Sequence, residues 1–244
     1  MKIEKHLNTI IISLCIIIGI VLITQSYKNR HQSNDTIEVT GLGEKNFESD
    51  LIVWRGSYSS RNFDLETAYE GLNANREIVL DYLKSKKVNT DEIVFSSVDI
   101  NKDYKYTYDD NGNSHSEFVG YRLMQTVEIE SNEVDKIEKL SREITELIHK
   151  GVEFVSNRPQ YYYTKLPELK IEMIAAATED ARIRAENIAD NAGAKLAALK
   201  SARMGIFQIT AQNSNEEYSW GGTYNTSSRH KTASITMRLV FGVR

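Results

Sequence analysis

The hydrophobic and polar positions change period several times along the 244-residue chain, and each change marks an element. Leu7 to Ile23 carries no charge and is interrupted only by Asn8, Thr9 and Ser13. A helix that crosses a bilayer takes ~20 apolar residues, with ~17 as the lower limit. Residues 7–24 are therefore read as a transmembrane anchor or, alternatively, as a cleaved signal segment with small residues at Thr24-Gln25-Ser26. Lys2 and Lys5 place residues 1–6 in the cytoplasm and the rest of the chain on the exported side. In a bacterial cell that means a single-pass inner-membrane protein with its soluble domain in the periplasm. Residues 25–35 form a polar tether.

Beyond the tether, Ile37, Val39, Gly41 and Gly43 read as a strand, and Leu51 to Tyr58 as its partner in a hairpin. The period then becomes helical, with Leu65, Tyr69, Leu72, Val79 and Leu83 on one face and Asp64 placed to cap. Ile93 to Ile100 returns to a strand pattern. Asn111-Gly112-Asn113 marks a turn, and Val119, Tyr121, Leu123, Val127 and Ile129 alternate with more polar neighbours. A second helix presents Val134, Ile137, Leu140, Ile144 and Leu147, and a strand region follows from Val152 to Tyr163. A third helix starts at Pro167 and carries a stripe of Ile174, Ala177, Ala181, Ala185, Ile188 and Ala192 that Gly193 stops. Residues 202–210 read as a strand, and Ala233, Ile235, Met237, Leu239 and Phe241 alternate to the C-terminus as one face of an antiparallel strand. Strands and helices without a regular βαβ repeat predict an α+β fold with amphipathic helices packed on one face of antiparallel sheets.

Composition narrows the function classes. A net charge of −4 gives no electrostatic footprint for nucleic acid. The single cysteine, Cys15, excludes disulfides within the chain and Cys-based zinc sites, and is read as a small hydrophobe of the apolar run rather than a lipid acceptor. The five histidines never fall at metal-ligand spacing. Gly41-Leu42-Gly43 is too short for a dinucleotide fingerprint, and Gly56-Ser57-Tyr58-Ser59 lacks the glycine that closes a nucleophile elbow. Glu179, Asp180, Arg182, Arg184 and Glu186 read as the solvated face of a helix. The sequence thus predicts no enzyme, cofactor or metal.

The remaining candidates are aromatic. Tyr104, Tyr106 and Tyr108 alternate along one strand face, and Tyr161, Tyr162 and Tyr163 place rings on both faces of another. Trp220 sits between Ser219 and Gly221-Gly222 in a polar loop. Tyrosine and tryptophan combine contact area with a polar tip, so these seven residues are candidate interfaces, with ordinary strand packing as the alternative for the tyrosines.

The segment Ile37-Glu38-Val39-Thr40-Gly41-Leu42-Gly43-Glu44 resembles the opening strand of the SIMPL-domain proteins, bacterial envelope proteins with relatives in animals. The third helix is similar to that family's alanine-spaced helix through Ala177, Ala181-Arg182, Ala185, Ile188-Ala189, Ala192-Gly193 and Lys195-Leu196. Gly120-Tyr121 and the C-terminal strand follow in the family's order, so the resemblance covers about residues 36–244. Glu48-Ser49-Asp50 stands where a Pro-Asp pair is common, and Lys87-Val88 where Gly-Ile or Gly-Val is common. The resemblance implies two small α/β sandwich units, a central one at about residues 118–165 inserted between two halves of the other. It also implies large homo-oligomers, no established activity, and roles in envelope stress tolerance or, in animals, binding to a signalling kinase. The resulting expectation is a non-catalytic, membrane-anchored, self-assembling envelope protein. Its rival is a monomeric envelope module that binds a small molecule, glycan or peptide on the tyrosine surface.

Overall fold

The computed structural model describes residues 13–14, 16–24, 35–108 and 113–244. Residues 13–14 and 16–24 are helical, and among the described residues no helix is long and apolar enough to cross a membrane. Residues 1–12 and Cys15 of the apolar run, residues 25–34 of the tether and the turn at 109–112 lie outside the described residues. From residue 36 the chain runs through β1 (Thr36–Glu48), β2 (Leu51–Asn62), α1 (Leu65–Ser85), β3 (Ile93–Phe95), β4 (Asp99–Tyr108), β5 (Ser114–Ser131) and α2 (Val134–Glu143). It continues through β6 (Phe154–Ser156), β7 (Gln160–Tyr162), α3 (Leu166–Asn191), β8 (Leu196–Met204), β9 (Gln208–Ala211) and β10 (His230–Val243). Short 3-10 helices occupy Thr90–Glu92 and Ile144–Lys150.

These elements form an α+β fold of two antiparallel sheets. In the outer sheet β10 is central, with β1 on one side and β8 and β9 on the other. In the inner sheet β5 and β2 are central, flanked by β3 and β4 on one side and by β6 and β7 on the other. β1 and β2 therefore do not form the hairpin expected from their adjacency. β1 pairs along its whole length with β10, from Thr36 opposite Gly242 to Glu48 opposite His230, whereas β2 pairs with β5. Ser49 and Asp50 cross from one sheet to the other, their amides donating to Arg229 O at 3.0 Å and Tyr162 O at 3.1 Å. The crossing also moves the boundary of the inserted unit. It runs from β2 to β7, starting at Leu51 rather than near residue 118, because β2 is one of the central strands of its sheet.

Each sheet has its own core. Ile52, Trp54, Leu72, Leu83, Leu123, Ile129 and Ile137 belong to the inner cluster, under α1 and α2. Along α1 the buried residues are Ala68, Leu72, Val79, Tyr82 and Leu83. Leu65 and Tyr69, which the helical period also places on that face, are exposed at an open pocket that they share with Ile100 and Leu123 of the sheet. Lys87, where the resemblance leads one to expect glycine, is held at φ +61° just after this helix, a left-handed conformation that costs an L-residue ~1–2 kcal/mol.

The outer core forms between β1, β10 and α3, and its stripe is narrow. Leu169, Met173, Ala177, Ala181, Ala185 and Ala189 are buried at a strict spacing of four, which follows the inclined i±4 row of an α-helix. Ile188 and Ala192, which the 3.6 period places on the stripe, are exposed for that reason, and Ile174 is only half-buried. Small residues on this row let the helix backbone close on β1, and the strand meets it with glycine. A Cβ at Gly41 would lie 2.1 Å from Ala177 O and 2.5 Å from Ala181 N, and one at Gly43 would lie 2.4 Å from Met173 O. Both are backbone clashes that no rotamer change relieves. Asp180 completes the seam by accepting the Leu42 amide at 2.8 Å, and Lys45 reaches Glu172 at 2.6 Å. Gly193, at φ +71°, ends the helix as expected.

Gly41→Ala should lower the melting temperature strongly, by more than the ~1–3 kcal/mol typical of one extra buried methylene, because the obstacle is backbone. Ala181→Leu with Ala185→Leu should do the same, while Glu179→Gln, an exposed pair with Arg182, should cost at most ~1 kcal/mol. Equal effects in thermal denaturation would refute the close seam.

Candidate interaction surfaces

The tyrosine face arises from where two elements end. β2 pairs with β5 only as far as Asn62 opposite Tyr121, so beyond that point β4 and β5 continue as a two-stranded ribbon. A bulge marks the departure: Asp103 faces Gly120, and Tyr104 faces Phe118. Gly120 is held at φ +136° with the Asn62 carbonyl 2.8 Å from where a Cβ would be, so only glycine fits. By alternation Tyr104, Tyr106 and Tyr108 share the face of Ile100, whose partner Leu123 is buried under α1. The helix does not reach them. Asp64 caps it, accepting the Thr67 amide at 2.8 Å, and Phe63 just before the cap meets Phe118 at 5.2 Å. Phe118 in turn stands 5.9 Å from Tyr104 and 5.1 Å from Tyr121. Past this junction the ribbon is uncovered, and Tyr104, Tyr106 and Tyr108 are 44%, 64% and 74% exposed. Exposed Phe63, Leu65, Tyr69 and Ile100 extend the same apolar surface back to the helix start.

The other tyrosines are placed differently. Tyr161 is buried in the inner core, and its amide donates to Thr226 O at 2.7 Å. Tyr163 packs on Phe47 at 4.8 Å against the outer core. Tyr162 lies between them, half-buried, its ring 6.4 Å from Tyr224. These three rings fasten the two units to each other and present no common exposed face. Polar contacts reinforce that join: the Asp50 carboxylate accepts the Thr164 amide and hydroxyl at 2.7 and 2.8 Å, and Arg229 pairs with Glu48, Asp135 and Glu138.

Trp220 lies in the polar loop between β9 and β10 and is 95% exposed. Its turn is tightly held. The buried Gln208 amide donates to Ser219 O at 2.8 Å and accepts the Thr223 amide at 2.7 Å, while the Gly222 amide donates to Ser219 O at 3.0 Å. Trp220, Tyr218, Leu42 and Ile206 wall a cleft of about 500 Å³ on the sheet face away from α3.

Two features escape a reading of types alone. Asp180, in a helix run otherwise joined by surface pairs such as Arg182 with Glu179 and Glu186, turns to the β1 edge. Lys231 is fully buried, and its ammonium donates to the Asn225 carbonyl at 2.5 Å. Its parity is that of Ala233 and Ile235, so alternation already places it on the core face. Burial pushes the Lys231 ammonium down to about 8, opposed by the Glu216 carboxylate. Among the described residues no group of His, Cys, Asp or Glu is arranged to hold a metal ion.

A family model described as SIMPL, protein of unknown function (DUF541), matches residues 37–239. No curated protein matches the chain.

The buried lysine makes stability depend on pH. In the unfolded chain Lys231 keeps its proton up to its ordinary range near 10.5, whereas the folded state releases it near 8. The unfolded state therefore binds more protons between these values, and stability rises with pH there. The full penalty is present below pH 8, on the order of 3 kcal/mol. Lys231→Met should remove the rise between pH 8 and 9.5 in denaturant unfolding; an unchanged slope would show that Lys231 is not its source.

Proposed function

This chain belongs to the SIMPL family, and on that premise we propose a non-catalytic protein that self-assembles through the aromatic face of the β4–β5 ribbon. In this reading residues 7–24 hold it in the inner membrane, and the folded region from residue 36 works on the exported side, in the setting of envelope stress tolerance that the family resemblance implies. The observation that carries the proposal is the row of Tyr104, Tyr106 and Tyr108, increasingly exposed toward the ribbon tip. A two-stranded ribbon uncovered on both faces is marginal in water on its own, and contiguous exposed aromatic surface is characteristic of protein interfaces. The apolar run with Lys2 and Lys5 before it supports the anchor and its orientation.

Light scattering coupled to size-exclusion chromatography tests the assembly. Tyr104, Tyr106 and Tyr108 replaced together by serine should shift the oligomer toward monomer, since aromatic anchors each contribute ~2 kcal/mol or more. The far-ultraviolet circular dichroism should stay nearly unchanged, because the rings lie outside both cores. An unchanged mass would refute the ribbon as the interface, and loss of the fold would refute its independence from the core. For the topology, protease added to cells with a permeabilised outer envelope should digest the folded region; protection until lysis would reverse the orientation.

A further inference from the structure

The Trp220 cleft plays no part in the assembly reading, and its chemistry stands apart from that of the ribbon. We infer that this cleft is a binding site for a neutral saccharide, with Trp220 as the platform on which a pyranose ring stacks.

Three observations carry the assignment. The first is that Trp220 is exposed by construction. Gln208, buried and bonded on both sides of the turn, and the Ser219–Gly222 turn itself fix the backbone that holds the indole away from the sheet. The register continues on either side, with the Ile209 amide donating to Thr223 O at 2.7 Å and the Asn225 amide to Ile209 O at 2.9 Å. Because the backbone on both sides of Trp220 is already ordered, the loop itself loses little freedom on binding, which removes one of the costs of association. The second is charge: no lining residue of the cleft is charged, which favours a neutral occupant. A charged ligand would enter without a compensating partner.

The third observation is the mixture of surfaces. Trp220, Tyr218, Leu42 and Ile206 provide apolar walls, and Ser234 and Thr236 place hydroxyls on the floor. The Ser234 hydroxyl and the Tyr218 phenol hydrogen-bond each other at 3.2 Å at the cleft, a pair that a ligand hydroxyl can join. A pyranose has the matching character: an apolar face of C–H groups that packs on an aromatic ring, and a rim of hydroxyls that exchange hydrogen bonds. A cavity of about 500 Å³ is in the range of small-molecule sites and is open enough for one end of an oligosaccharide.

The two tryptophans make the test direct. Trp54 is buried in the inner core with its Nε1 donating to Ser156 Oγ at 3.0 Å, so the solvent-exposed emission belongs to Trp220. The full chain, in a detergent without a sugar headgroup, is titrated with tri-N-acetylchitotriose and separately with cellotriose. A saturable blue shift of the exposed emission with either probe is expected. Trp220→Ala should abolish binding measured by calorimetry, and Thr236→Val should weaken it about tenfold. No saturation with either probe by ~10 mM overturns the inference, as does binding that survives Trp220→Ala. A blue shift that grows with protein concentration in the absence of saccharide would assign the cleft to a second copy instead. The ribbon variant with three serines should bind the saccharide as the parent does, so failure of the assembly reading leaves this test intact.

Discussion

At Gly41 and Gly43 the backbone of β1 meets the backbone of α3 with no side chain between them, and the outer unit depends on that contact. The helix carries alanine at 177, 181, 185 and 189 for the same reason that the strand carries glycine: each extra carbon would hold the two apart. Close approach brings Asp180 within reach of the Leu42 amide, so one backbone donor of the edge strand β1 is satisfied as well as the strand packed. Because β1 and the α3-to-β10 segment come from opposite ends of the folded region, this seam also closes the outer unit around the insertion.

The insertion has a different economy. Its core of large side chains under α1 and α2 is separate from the alanine seam, and the two units are joined by strand crossings, Tyr161–Tyr163 and the Arg229 ion pairs. Neither core needs the ribbon or the Trp220 turn. Both carry their aromatic groups outward on backbone that is locally well bonded, the first by a glycine bulge and the second by the Gln208 amide. The molecule therefore spends its packing on the seam and the inner core, and leaves two exposed aromatic surfaces, one on each unit, for other contacts.

Much of this was legible from residue patterns. Alternation in β10 and the long helices are read correctly, and the glycine strand and alanine helix identify the family because their spacing is a packing requirement. What pattern alone misplaced has physical causes. β1 and β2 look like a hairpin because they are neighbours, but the register of β1 is taken by β10 over its full length. The stripe on α3 drifts from Ile188 to Ala189 because a contact along the i±4 row does not follow a 3.6 period. Tyr161 and Tyr104 are equally aromatic in sequence; only pairing shows that one lies under a helix and the other beyond its end. Lys231 was readable by parity, since a charged residue in phase with Ala233 and Ile235 must be buried or break the strand.

Amide hydrogen exchange followed by mass spectrometry tests the seam most directly, because it reads the two units separately in one molecule. In Gly41→Ala, peptides from β1, α3 and β10 should lose protection while those from β2 and β5 keep it. Equal loss in both units, or undiminished protection of the outer one, would contradict the account.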